Sequence, residues 1–124
     1  EYAILSGLVG SEMCIRDSEI IIDEKLAQNA RVLGEIFRSE INKYIKSSNI
    51  VKLVRGKGLL NAIVINESQG SQTAWNICLK LRDNGLLAKP THGNIIRFAP
   101  PLVMTEDQLY DCVSIITSTI KEFE

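Results

Sequence analysis

The sequence has few of the residues that build a disulfide framework, a metal centre or a membrane span. Its 124 residues include three cysteines, Cys14, Cys78 and Cys112, and a single histidine. An odd number of widely spaced cysteines argues against disulfides or a zinc site and fits a reducing, intracellular setting. The apolar run near the start is too short to cross a bilayer and lacks the basic start of a signal peptide. We therefore expect no metal site and no membrane partner.

An excess of charge of either sign is also missing. The formal net charge is −1, with 23% charged and 45% hydrophobic residues. A chain with balanced charge has no excess of basic residues with which to bind nucleic acid or anionic lipid. Its apolar content excludes a disordered chain. The length allows one domain at most, or a piece of a larger one.

Apolar periodicity predicts six elements in the order helix, strand, strand, helix, strand, helix. These are a helix after Asp23 with its apolar stripe from Leu26 to Tyr44, strands at 50–55 and 59–65, a helix at 71–84 ended by Gly85, a strand at 95–99 after a turn at 90–94, and a helix capped by Thr105 and Gln108. The predicted fold class is α+β, a small, largely antiparallel sheet with helices packed on it.

Residues 1–18 differ in character from the rest of the chain. They show no sustained helical or strand period, and residues 11–18 resemble translated adapter sequence found at the ends of assembled gene fragments. We predict that residues 1–18 are a non-native leader, disordered and with few contacts, and that residues 19–124 form the domain. A genuine irregular lead-in is the alternative.

Arg97 is the candidate binding residue. It is a lone cation in a short apolar strand that must end at Pro100 and Pro101, because proline cannot donate to a sheet ladder. No acidic residue occurs between Asp83 and Glu106. A half-buried guanidinium needs an acceptor, and its planar fork suits a carboxylate or a phosphate. A local ion pair with one of those two acids is the structural alternative.

Other features carry less functional information. His92 is suited to act as a base or ligand but lies in a predicted turn, where we expect it to face solvent. Gly56 and Gly58 resemble half of a phosphate loop, yet a strand follows them where a nucleotide site needs a helix. Cys78 and Cys112 lie on apolar helical faces, and we expect them to be small buried hydrophobic residues.

Two runs resemble the class III, fold-type I pyridoxal-phosphate-dependent aminotransferases. The first, Val54–Ile65, contains the Arg-Gly-x-Gly hairpin, and the second, Leu81–Leu102, places an arginine in a strand before Pro-Pro-Leu. Within the second, Leu-Leu-Ala-Lys-Pro-Thr-His-Gly is typical of the ornithine aminotransferases. The resemblance covers roughly residues 19–124 and implies the C-terminal small domain of such an enzyme.

The resemblance implies a function and one site residue. Class III enzymes of the ornithine type transfer an amino group from ornithine to 2-oxoglutarate, and by this resemblance Arg97 would bind the α-carboxylate of 2-oxoglutarate or glutamate. During the ornithine half-reaction it would pair with an acidic residue of the large domain. The catalytic and cofactor-binding residues, which hold pyridoxal phosphate, belong to that large domain. Lys89 does not match the Schiff-base lysine, so we expect this chain alone to be inactive.

The same resemblance implies a homodimeric full-length enzyme that acts on small amino and oxo acids. We expect a cytoplasmic location, or the mitochondrial matrix if the source is eukaryotic. Apolar side chains around residues 20–22 and 98–102 should be exposed where a large domain would pack. Two alternatives stay open. One is another class III enzyme, of acetylornithine, 4-aminobutyrate or glutamate-semialdehyde type. The other is a free-standing, non-catalytic α+β module that binds a carboxylate.

Overall fold

The structure is a computed structural model that describes the backbone of residues 2–124 and the side chains of residues 11–124. Within this part, four helices and four strands follow one another along the chain. They are α1 (Tyr2–Asp23), α2 (Leu26–Ile45), β1 (Val51–Lys57), β2 (Leu60–Ile65), α3 (Thr73–Asp83), β3 (Lys89–Thr91), β4 (Ile95–Phe98) and α4 (Glu106–Lys121).

The strands form one antiparallel sheet in the order β1-β2-β4-β3. Helices α2 and α3 lie against the sheet, and α4 packs against both of them. A single apolar cluster joins these helices to one face of the sheet, with Ile41, Ile63, Ile77, Ile96 and Ile120 fully buried in it. The predicted α+β class, with helices packed on a small antiparallel sheet, is confirmed.

The other face of the sheet is open. Side chains alternate along a strand, so the residues on this face come from every second position. They are Leu53, Arg55, Lys57, Leu60, Ala62, Val64, Lys89, Thr91, Ile95 and Arg97, all exposed or half-buried. Because none of them is buried, no helix of the described chain covers this open face.

The segment before β4 differs from the sequence prediction. A turn was expected at residues 90–94, whereas Pro90 and Thr91 belong to β3 and the turn contains only residues 92–94. Since β3 is an edge strand, Pro90 loses no ladder hydrogen bond there. His92 and Gly93 both have positive φ, 51° and 76°, which closes the hairpin tightly. His92 is exposed, as predicted.

Residues 2–18, which were expected to be part of a disordered leader, belong to α1 in the structure. Asp23, predicted to cap α2, is instead the last residue of α1. Helix α2 begins after Lys25, whose left-handed backbone conformation (φ 51°) separates the two helices. Few contacts were expected, and the side chains of residues 11–19 are all exposed. Glu1 and the side chains of residues 2–10 lie outside the described part. The non-native origin of residues 1–18 stays a prediction.

Exposed apolar side chains occur at both predicted places, with one exception. Ile22 is 74% exposed and Leu102 is 42% exposed. Phe98, however, is buried, because it points from β4 into the core and its ring centroid lies 5.7 Å from that of Phe37.

Local hydrogen bonds end α3 and begin α4 as their sequences predict. The Gly85 N–H donates to the Arg82 carbonyl (3.0 Å) and the Leu86 N–H to the Leu81 carbonyl (2.8 Å), which together make a Schellman motif. Thr105 and Gln108 form the expected capping box at the start of α4.

Gly85→Ala should lower the free energy of unfolding by about 1–2 kcal/mol, because its φ of +90° is strained for any residue with a Cβ atom. The measurement is urea denaturation of the two proteins. Gly70→Ala is the matched control, since a Cβ atom also meets nothing within 4 Å there but no positive φ is required. Equal stability of both variants would contradict the role given to Gly85.

Candidate carboxylate-binding site

Arg97 lies on the open face, in the third position of β4. Its neighbours Ile96 and Phe98 are 0% and 6% exposed, so they anchor the strand to the core and direct Arg97 the other way. Strand β4 runs between β2 and β3, and Arg97 is paired with Ala62 on one side and Lys89 on the other. The side chain is exposed.

No acidic side chain within residues 11–124 forms an ion pair with Arg97. Asp83, one of the two local acids considered, receives hydrogen bonds at 3.0 and 2.8 Å from its neighbour Arg82. The other, Glu106, lies in the first turn of α4, where acids favour the helix dipole. Within residues 11–124, the alternative that Arg97 forms a local ion pair with Asp83 or Glu106 is therefore wrong.

The sheet as a whole is positively charged. Although the chain has a net charge of −1, its four strands contain five cations and no acidic residue: Lys52, Arg55, Lys57, Lys89 and Arg97. Strand register aligns three of these cations in one row across the open face, in the order Arg55, Ala62, Arg97, Lys89. Arg97 and Lys89 are adjacent in this row and are suited to an anion, whereas Arg55 lies on the far side of Ala62.

Sequence reasoning missed this row because the members come from three strands. Arg55 belongs to the Arg-Gly-Lys-Gly hairpin, and Lys89 was considered only as a Schiff-base candidate. One part of the row could have been found from the sequence. The tight turn between β1 and β2 pairs Lys57 with Leu60 and thereby places Arg55 opposite Ala62. The pairing of β2 with β4 was not encoded in any local motif.

A second missed feature holds the β1–β2 turn against α2. The Arg38 guanidinium donates to the Asn61 side-chain oxygen at 2.8 Å and to the Gly58 carbonyl at 3.2 Å. The Asn61 amide donates to the same carbonyl at 3.0 Å. Asn61 is only 3% exposed, so these bonds satisfy a buried amide.

A cavity of about 430 Å³ lies on the helix side of the sheet, and its walls are almost entirely apolar. Its lining includes Phe37, Leu59, Pro100, Leu109 and Cys112.

Burial raises the pKa of the half-buried Cys112 thiol, and it raises the pKa of the buried Cys78 thiol to about 11. Neither thiol is thus prepared as a nucleophile. The predicted burial is confirmed for Cys78 and partial for Cys112.

Across residues 11–124, no cluster of three histidine, cysteine or acidic side chains has the geometry to hold a metal ion. In the same part of the chain, no helix combines the length and hydrophobicity needed to cross a membrane.

The sequence of this chain also matches a known protein family. The family model for aminotransferase class-III matches residues 12–120 of the chain. The chain therefore belongs to the class III aminotransferase family, whose members are transferases that depend on pyridoxal phosphate.

Several relatives of this chain are named ornithine aminotransferases. The mitochondrial ornithine aminotransferase of Rattus norvegicus is 53% identical over 115 residues, which is 93% of this chain and 26% of the rat protein. The ornithine aminotransferase of Saccharomyces cerevisiae is 47% identical over 114 residues, covering 90% of this chain and 27% of its own. The chain thus spans about a quarter of the length of the curated relatives it matches.

Solved structures give the same fold. The acetylornithine aminotransferase of Elizabethkingia anophelis superimposes with a TM-score of 0.83 at 63% identity, over 85% of this chain and 27% of that one. The ornithine δ-aminotransferase of Plasmodium falciparum gives a TM-score of 0.82 at 40% identity, over 89% and 28% of the two chains.

Proposed function

We propose that this chain is the C-terminal small domain of an ornithine aminotransferase. The complete protein would convert ornithine and 2-oxoglutarate to glutamate semialdehyde and glutamate, and Arg97 would bind the α-carboxylate of 2-oxoglutarate or glutamate. The observation that carries this proposal is Arg97 itself, an exposed guanidinium without an acidic partner among residues 11–124 on an otherwise apolar and cationic face. The identity to ornithine aminotransferases supports the substrate.

Arg97 would bind and orient the substrate. A guanidinium offers two parallel N–H donors to the two oxygens of a carboxylate, which fixes the plane of the acid as well as its distance. Fixing the substrate in this way lowers the entropy cost of bringing it to the reacting group. In the ornithine half-reaction an acidic residue from outside this chain would take the place of the carboxylate.

The described residues do not fit a complete pyridoxal-phosphate site. A pyridine nitrogen needs an acidic partner, and the four strands that form the open face contain no acidic residue. Family membership implies the cofactor. We infer that the large domain of the complete protein binds it, and that this chain contributes the carboxylate site only.

The open face supports an assembly with further protein. Leu60 is 56% exposed on that face, beside the half-buried Ala62 and Val64, and such a surface normally packs against a partner. We infer that the large domain covers it and that the complete enzyme is a homodimer. The cytoplasm or the mitochondrial matrix stays the predicted location.

One observation favours a second candidate within the same family. The structure most identical to this chain among those compared above, at 63%, is named an acetylornithine aminotransferase. The acid-binding role of Arg97 would be the same in that enzyme, and only the amino donor would differ.

The amino donor separates these candidates. The complete polypeptide, loaded with pyridoxal phosphate, is mixed with ornithine, N-acetylornithine or 4-aminobutyrate, and the cofactor absorbance is followed. Ornithine should give the fastest conversion. Faster conversion with another donor would assign the chain to that class III enzyme, and no conversion with any donor would favour the free-standing binding module.

A further inference from the structure

Lys89 lies next to Arg97 on the open face. The two residues are directly opposite each other in the antiparallel pair of β3 and β4, so their side chains point the same way. The Cβ atoms of such opposed residues are about 4.5–5.5 Å apart. Both side chains are exposed.

This arrangement is unfavourable unless an anion is present. Like charges directly opposite each other in a sheet destabilise the strand pair. The four strands offer no acid to neutralise them, and neither Arg97 nor Lys89 has an ion-pair partner among the side chains of residues 11–124. Two adjacent, uncompensated cations are best explained by a ligand that carries more than one negative charge.

We infer that Lys89 is a specificity-determining residue of the Arg97 site, which makes the site prefer dicarboxylates to monocarboxylates. This inference rests on the proposed function, because it takes Arg97 as the carboxylate-binding residue. Arg97 binds one carboxylate through its planar fork, and the ammonium of Lys89 attracts the second negative charge at longer range. The same pair of cations disfavours a positively charged substrate such as ornithine at this position.

The test compares glutarate with pentanoate, two five-carbon acids that differ in the second carboxylate. Their affinities for the complete polypeptide loaded with pyridoxal phosphate are measured by isothermal titration calorimetry. Lys89→Gln should weaken glutarate binding by about three- to tenfold and leave pentanoate binding nearly unchanged. This is the size of effect expected when one ammonium group attracts one carboxylate through intervening water. Lys89→Arg should keep the preference for glutarate.

Two controls separate this inference from the proposed function. Lys121→Gln removes the same charge from an exposed position at the end of α4 and should change neither affinity. Arg97→Gln should weaken both acids. If Arg97→Gln weakens both but Lys89→Gln changes neither, only the role of Lys89 is overturned. If Arg97→Gln has no effect, the proposed function fails as well.

A different role for Lys89 would give a different result. Lysine on an edge strand commonly prevents pairing with another chain, and β3 is an edge strand. In that case Lys89→Gln would self-associate in analytical ultracentrifugation while its affinity for glutarate stayed unchanged. That outcome would overturn the inference.

Discussion

Replacement of Arg97 by lysine should lower the use of 2-oxoglutarate by the complete enzyme far more than the use of ornithine. Lysine keeps the charge but loses the two-pronged hydrogen bond to the carboxylate. Loss of a charge-assisted pair in a desolvated site costs on the order of 2–5 kcal/mol, or roughly 30- to several-thousand-fold in kcat/KM. In the proposed role, the ornithine half-reaction would require only that an acid neutralise Arg97, so the loss of activity with ornithine should be smaller.

The two half-reactions are titrated separately and followed through the cofactor absorbance. Arg55→Lys is the matched control, because Arg55 lies in the same row on the far side of Ala62 and undergoes the same change of side chain. It should leave both half-reactions nearly unchanged. Equal losses for both substrates in Arg97→Lys, or no loss with 2-oxoglutarate, would remove Arg97 from the proposed role.

Features specified by local chemistry could be predicted from the sequence. The capping box of Thr105 and Gln108 needs only residues three apart in sequence, and the structure contains both of its hydrogen bonds. Gly85 ends α3 for the same kind of reason, since a left-handed residue is required at that position. The apolar run at 59–65 predicted a strand, and β2 occupies residues 60–65 of it.

Features that depend on long-range pairing could not be predicted in this way. The strand that contains Arg97 was predicted from its own sequence, but its neighbours Arg55 and Lys89 follow from the order of strands in the sheet. Helix α1 was missed for another reason. Helix prediction relied on an apolar stripe that packs against a core, and the side chains of residues 11–19 are all exposed.

The contact between Gly34 and Gly58 also depends on tertiary packing, and it gives the second large expected effect. Gly34 is buried in α2, where a Cβ atom would overlap the Gly58 carbonyl oxygen and lie 2.5 Å from its carbonyl carbon. Both neighbouring atoms are backbone, so no flexible side chain can move aside. The same Gly58 carbonyl accepts the hydrogen bond from Arg38, one turn further along α2. A side chain at residue 34 would therefore push α2 away from the β1–β2 turn.

Gly34→Ala should lower the free energy of unfolding by about 2–3 kcal/mol, even though alanine is favoured over glycine in a helix by about 1 kcal/mol. Urea denaturation of the chain measures the change. Ser39→Ala is the control, because Ser39 is exposed in the same helix and gains helix propensity without a new contact. It should be equally or slightly more stable than the parent. If Gly34→Ala behaved like Ser39→Ala, the close approach of α2 to the β1–β2 turn would not hold in solution.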